Sequence, residues 1–260
     1  MFRPMLKMAE RLIAPHLCPV CDAEVTDRGL CLDCWKDLKF IADQACYHCG
    51  TPFDIPMLTP LISPESRGGP GPGGAICGQC LIDPPDFDHA VSALVYADPA
   101  RRMILALKHG DRQDIAPILA RMMAPKTIPL MERADFILPL PLHRRRFLKR
   151  RFNQSAELTR HLIALQGVMP DQNGGKTMDT SILIRKKATA PQGRKSKAQR
   201  IAAMRGAFAV PQDQRARIKG KTILMIDDVL TTGASLSSAA RCLKRAGAGH
   251  IAVSTVARVC

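Results

Sequence analysis

The stretch ILMIDDVLTTGAS (223–235) decides how this chain is read. Four apolar residues run into two adjacent acids, Asp227 and Asp228, then into two threonines, a glycine and small residues. The apolar run, KTILMI (221–226) in full, predicts a buried strand. TTGAS predicts the turn into a helix, because SLSSAARCLKRAG (235–247) sets Leu236, Ala240 and Leu243 on one face. Basic residues occupy its last turn, and Gly247 is placed to cap it. Two full charges at the end of a buried strand call for a partner that engages both. Backbone N–H groups in a turn at a helix N-terminus favour a phosphate, and Thr231, Thr232 and Ser235 add hydroxyl donors. A carboxylate pair just before such a cradle suits the vicinal hydroxyls of a sugar, which donate two hydrogen bonds. The expected ligand is a ribose 5-phosphate.

Strands alternate with helices on both sides of this stretch. HAVSALVYA (89–97) reads as a strand, and PARRMILALKHG (99–110) as a helix that Pro99 opens and Gly110 closes. QDIAPILARMM (113–123) carries Ile115, Ile118, Leu119 and Met122 at helical spacing, with Pro117 in its first turn. DFILPLP (135–141), TSILIRK (180–186), GAFAV (206–210) and HIAVSTVAR (250–258) read as strands, and NQSAELTRHLIALQG (153–167) as a helix that Asn153 caps. The pattern predicts an α/β fold, a mainly parallel sheet with helices on both faces. Ligands of such sheets bind at the carboxyl ends of strands, where Asp227 and Asp228 are expected.

The first third of the chain has a different texture. Eight of the chain's ten cysteines lie here, in four pairs with two residues between thiols: Cys18 and Cys21, Cys31 and Cys34, Cys46 and Cys49, Cys77 and Cys80. Zinc takes four thiolates tetrahedrally, so four such turns predict two closed, structural sites. Sequential pairing is the simplest, and spacing alone leaves crossed pairing open. A single pair can act as a redox dithiol. Four pairs within residues 18–80, with few apolar residues between them, fit metal-held knuckles instead. His16 and His48 lie close by as surplus histidines, and Trp35 is expected to pack over the first knuckle. The division expected is a zinc module over 1–85 and an α/β domain over 86–260. Two apparent nucleotide motifs are rejected. The GxGxxG at 69–74 sits in a proline- and glycine-rich loop without a flanking strand or helix, and Gly175-Lys176-Thr177 has Pro170 where a P-loop needs glycine.

The formal net charge is +15. Two zinc ions on eight thiolates would lower it to about +11. RRRFLKRR (144–151) holds six basic residues in eight, and 181–212 holds eight with no acid. Such surfaces expect a polyanion, either nucleic acid or a phosphorylated metabolite. Aromatic residues make up only 4%, which argues against an extensive base-stacking platform. No apolar run is long enough to cross a bilayer. The opening residues MFRPMLKMAERLIAPHLC (1–18) lack the apolar core and small-residue cleavage site of a signal peptide, so a cytoplasmic location is expected.

The stretch 223–235 resembles the signature of type I phosphoribosyltransferases. Together with the four cysteine pairs, LPLPLHRRRFLKRRFNQSAEL (138–158), LIRKKATAPQ (183–192) and GAFAV, the chain is similar to the ComF family from Cys18 to Arg258. One departure is Arg151, where the family often has glycine before Phe152. The resemblance implies a zinc-ribbon module ahead of a phosphoribosyltransferase-like domain, and a link to DNA uptake in natural transformation. It implies that Asp227 and Asp228, the catalytic candidates, bind the ribose hydroxyls of phosphoribosyl pyrophosphate (PRPP). Thr231, Thr232, Gly233, Ala234 and Ser235 would hold the 5-phosphate. Arg144, Arg145 and Arg146 are the candidates for the pyrophosphate, assisted by Mg2+ that keeps most of its waters. Two functions follow: a pentosyl-transferring enzyme, or a non-catalytic protein that handles single-stranded DNA and senses PRPP. A protein partner in DNA uptake is a further expectation.

Overall fold

A computed structural model describes residues 16–53, 74–109, 112–144, 147–148, 152–166, 178–187 and 197–260. The N-terminal part is built from short pieces: β1 (His16–Leu17) pairs antiparallel with β2 (Glu24–Val25), followed by α1 (Leu32–Lys36) and α2 (Gly78–Ile82). Then come β3 (His89–Val95), α3 (Ala100–His109), α4 (Ala116–Arg133), β4 (Phe136–Pro139) and α5 (Gln154–Leu165). The chain continues through β5 (Ile184–Arg185), α6 (Lys197–Met204), β6 (Phe208–Ala209) and α7 (Arg215–Ile218). It ends with β7 (Thr222–Leu230), α8 (Ala234–Arg245) and β8 (His250–Arg258).

β3, β8, β7 and β4 form one sheet in that order, every neighbouring pair parallel. Burial alternates between its two faces. Leu224, Ile226, Ala252 and Val256 join one core cluster with Met103, Leu119, Met123 and Leu158 from α3, α4 and α5. Ile223, Met225, Ile251 and Val253 join another with Leu236, Ala240 and Leu243 from α8. Helices therefore cover both faces, as near-continuous apolar strands require. β5 and β6 pair separately as a two-stranded antiparallel ribbon, with the Arg185 guanidinium 5.3 Å from the centre of the Phe208 ring. Among the described residues no helix is long and apolar enough to cross a membrane.

Two elements depart from the expected pattern. α4 runs on to Arg133 with Pro125 and Pro129 inside it. Each interior proline removes one helical hydrogen bond, typically at about 3 kcal/mol. The turns beyond them are held by burial of Thr127 and Met131, and the Thr127 hydroxyl lies 2.7 Å from the Ser254 hydroxyl on β8. β7, in turn, extends past the acid pair to Leu230.

The zinc-module residues cover the free edge of β3. The Ile41 N–H donates to the Ala93 carbonyl at 2.9 Å, the Val95 N–H to Lys39 at 2.9 Å, and the Ala90 N–H to Tyr47 at 3.2 Å. An uncovered edge strand would present those groups for pairing with another chain. Trp35 follows the tetrad residue Cys34 in α1. It is half exposed, its ring centre 5.4 Å from that of Phe40. The GKT stretch and most of the GxGxxG stretch lie outside the described residues.

Candidate functional site

β4 pairs with β7 only as far as Pro139 opposite Ile226, while β8 accompanies β7 to its end, with Asp227 opposite Thr255 and Leu230 opposite Arg258. Asp227 and Asp228 therefore follow the last residue of β7 that β4 covers. The sequence places them at the strand's carboxyl rim, and the structure sets them inside the strand, two residues short of Leu230. The rim exists because one neighbouring strand stops early.

Asp228 is 7% exposed and pairs with Lys108 at the end of α3, Nζ to Oδ2 3.0 Å. Asp227 accepts a hydrogen bond from Ser155 Oγ at 2.9 Å. Burial and then the neighbouring Asp228 charge raise the Asp227 carboxyl to about 7, with Lys108 pulling the other way. Burial alone would depress the Lys108 ammonium, but Asp228 and Asp227 more than offset it and leave its pKa raised. The site thus sets one ammonium against two adjacent carboxyls, that of Asp227 raised to about 7.

Sequence reasoning missed Lys108 and Ser155. Lys108 follows Ile104 by four residues, on the side of α3 that buries Met103, Ile104 and Leu107. A lysine on an apolar helix face was the legible signal. Ser155 is positioned by Asn153, which caps α5 as expected: its Oδ1 accepts from the Ser155 N–H at 3.1 Å. The Asn153 amide also donates to the Leu140 carbonyl at 3.1 Å, tying α5 to the chain leaving β4.

The turn after β7 carries Thr231, exposed, and Thr232 and Ser235, partly buried. Gly233 caps α8 with φ +73°, a left-handed conformation that glycine adopts without the Cβ penalty. No side chain caps the first turn of α8, so its leading N–H groups are not claimed by a side-chain cap. Arg144 is exposed, while Arg145, Arg146 and Arg151 lie outside the described residues.

The eight paired cysteines gather into two tetrads, Cys18, Cys21, Cys31 and Cys34, and Cys46, Cys49, Cys77 and Cys80. The pairing is sequential. Within each tetrad all Sγ atoms lie within 4.8 Å of one another, with Cys49 and Cys77 at 3.7 Å and Cys21 and Cys31 at 3.5 Å. A tetrahedral ion with bonds of about 2.3 Å separates its sulfurs by about 3.8 Å. Both tetrads thus fit structural zinc. His48 is engaged elsewhere, Nδ1 lying 3.0 Å from the Asp88 carbonyl, and neither it nor His16 belongs to a tetrad.

Comparison with known proteins matches two separate parts of the chain. Residues 9–81 match the double zinc ribbon domain, and 165–259 match the phosphoribosyl transferase domain. The DNA utilization protein YhgH of Salmonella typhimurium is 28% identical over 249 residues, 93% of this chain and 96% of that protein. Competence protein F of Haemophilus influenzae is 25% identical over 90% of this chain and 92% of its own. Competence protein ComFC of Bacillus subtilis is 24% identical over 89% and 90%.

Proposed function

From a chain that is a ComF-type homologue, a double zinc ribbon joined to a phosphoribosyl transferase domain, we propose a protein that binds PRPP at the carboxyl end of β7. Asp227 and Asp228 accept the ribose hydroxyls, and Thr231, Thr232, Gly233, Ala234 and Ser235 hold the 5-phosphate. The observation that carries this reading is the paired setting of the acids: side by side beyond the end of β4, a few residues before a helix N-terminus that has no side-chain cap.

The chemistry asked of these residues is positioning. A carboxylate that accepts two hydroxyls fixes the sugar ring, and the helix N-terminus fixes the phosphate, so C1 is presented in one orientation. Lys108 pairs with Asp228 at 3.0 Å and orients its carboxyl. Asp227 accepts best as a carboxylate, so it must lose its proton. Arg144, and Arg145 and Arg146 beside it in sequence, are the residues proposed to take the pyrophosphate and stabilise its charge as it leaves. The acid pair already holds Lys108 and Ser155, a donor set that fits Mg2+ arriving on the pyrophosphate better than a resident ion. Mg2+ would supply charge neutralisation there. The same pocket serves an enzyme, with a base or amine as acceptor, or a sensor.

The test is a calorimetric titration of PRPP, with Mg2+, into zinc-loaded protein. Micromolar binding is expected, weakened at least ~100-fold in Asp227→Asn/Asp228→Asn, since hydrogen bonds to charged groups contribute about 1.5–3 kcal/mol each. No heat from the wild type would sink the reading. A second reading, a single-stranded-DNA-handling protein, rests on the +15 charge and on the names of the relatives, DNA utilization and competence. It requires DNA affinity that falls by powers of ten as salt rises.

A further inference from the structure

Arg258, the last residue of β8, joins the second cysteine tetrad to the turn after β7. Its Nε donates to the carbonyl of Cys49, a member of that tetrad, at 3.0 Å. Its Nη1 donates to the carbonyls of Leu230 at 3.1 Å, Thr231, and Val259 at 2.6 Å. The Val259 N–H donates to Leu230 as well, at 3.0 Å. One planar guanidinium thus holds a zinc knuckle and the first two carbonyls of the turn in a fixed relation.

The consequence follows from peptide geometry. In a planar trans peptide the C=O of one residue and the N–H of the next point in opposite directions. Turning the Leu230 and Thr231 carbonyls toward Arg258 turns the N–H groups of Thr231 and Thr232 away from it. Those are the first amides of the turn assigned above to the 5-phosphate.

The other end of the link is anchored by the knuckle. The Gly50 N–H donates to the Cys46 carbonyl at 2.8 Å and the Cys46 N–H to Thr51 at 2.8 Å. Gly50 has φ +66°, and a Cβ there would lie 3.1 Å from the Ala90 carbonyl, so the knuckle sits directly on β3. The Cys49 carbonyl is therefore placed by the tetrad on one side and by the sheet on the other.

We propose that Arg258 is a positioning residue through which the second tetrad, once it holds zinc, aims the amides of the 231–235 turn. The ribbon is then a working part of the pocket as well as a cover for the sheet edge. The proposal rests on the reading of that turn as the phosphate site, so its test begins with a readout that needs no ligand. Hydrogen exchange of the segment 229–237 would be followed by mass spectrometry in the zinc-loaded full chain, with 250–257 of β8 as internal reference. Arg258→Met and Cys80→Ser are expected to raise exchange of 229–237 roughly 10-fold while the reference stays protected. Arg258→Lys, which keeps the charge but loses the fork, falls between. Cys21→Ser, which breaks only the first tetrad, leaves 229–237 at the wild-type rate.

Wild-type exchange of 229–237 in Arg258→Met overturns the proposal whatever Cys80→Ser does. So does wild-type exchange in Cys80→Ser when metal analysis shows one ion lost. If Cys80→Ser fails to fold, the Arg258→Met and Arg258→Lys series decides. PRPP titration of the same proteins separates the two ideas. A wild type that ignores PRPP removes the phosphate assignment, while the exchange pattern still reports on the link between tetrad and turn.

Discussion

Two carboxyls, one ammonium and one hydroxyl set the electrostatics of the acid pair. Asp227, raised to about 7 mainly by burial, holds a proton in the folded chain at a pH where the unfolded chain has released it. Stability from this group is present below the ordinary carboxylate range and lost as pH rises through 7. Between pH 5 and pH 8 the loss is roughly 2–3 kcal/mol. Urea titrations at the two pH values check this, and Asp227→Asn removes that share of the dependence. PRPP affinity has the opposite slope, rising between pH 6 and pH 8 as the carboxylate forms, up to about tenfold per pH unit below the pKa. Lys108 is the other lever. Lys108→Met strands the buried Asp228 charge and is expected to cost about 3–5 kcal/mol in urea unfolding. Adding Asp228→Asn should restore much of it, and simple additivity of the two substitutions would mean the pair does not interact.

The element that makes the pocket is the mismatch between β7 and β4. β7 spans nine residues and β4 four, so β7 continues alongside β8 after its other neighbour has ended. The chain that leaves β4 is pinned back by Asn153 on Leu140, which brings the start of α5 and Ser155 to Asp227. At the other side of the pocket, α8 begins on a left-handed residue. Gly233→Ala places a Cβ in ordinary contact with Leu230 and Phe87, so space is not the obstacle. The backbone is: φ +73° costs an L-residue about 1 kcal/mol or more. The expected result is a loss of stability of that order, with a larger proportional loss of PRPP affinity as the turn relaxes. Unchanged affinity would mean the turn is not the phosphate site.

At the scale of the molecule the zinc module completes the sheet. Its residues 39–47 hydrogen-bond the edge of β3, and Arg241 and Lys244 of α8 pair with Asp86 and Asp88 just before that strand, at 2.7 and 2.6 Å. Metal analysis should return two zinc ions per chain. Stripping them with a chelator should raise hydrogen exchange along 90–95 and promote association through the uncovered edge, while residues 222–228 of β7 and all of β8, central in the sheet, stay protected. Equal loss of protection across all four strands would show that the ribbon and the sheet unfold as one unit. The +15 charge acts at this scale too. Binding of single-stranded DNA, measured at low and at physiological salt, should weaken steeply if several phosphates are contacted.

The sequence alone determined those features whose cause is local. Short apolar runs specified the strands, the 236, 240 and 243 spacing specified the buried face of α8, and Gly247 its end. Two intervening residues specified a knuckle at every cysteine pair. Each depends on neighbours a few residues away, and each was legible. Pairing of the knuckles, the stopping point of β4, the salt bridge from Lys108 and the reach of Arg258 to Cys49 depend on residues between roughly ten and more than two hundred positions apart. The continuation of α4 past Pro125 and Pro129 was invisible for the same reason, since burial against β8 outweighs what the prolines forbid locally. Asp227 and Asp228 could be named from the sequence because a buried strand has no other use for them. Only the tertiary structure decided which groups face them, because the ammonium, the hydroxyl and the open edge arrive on three different elements.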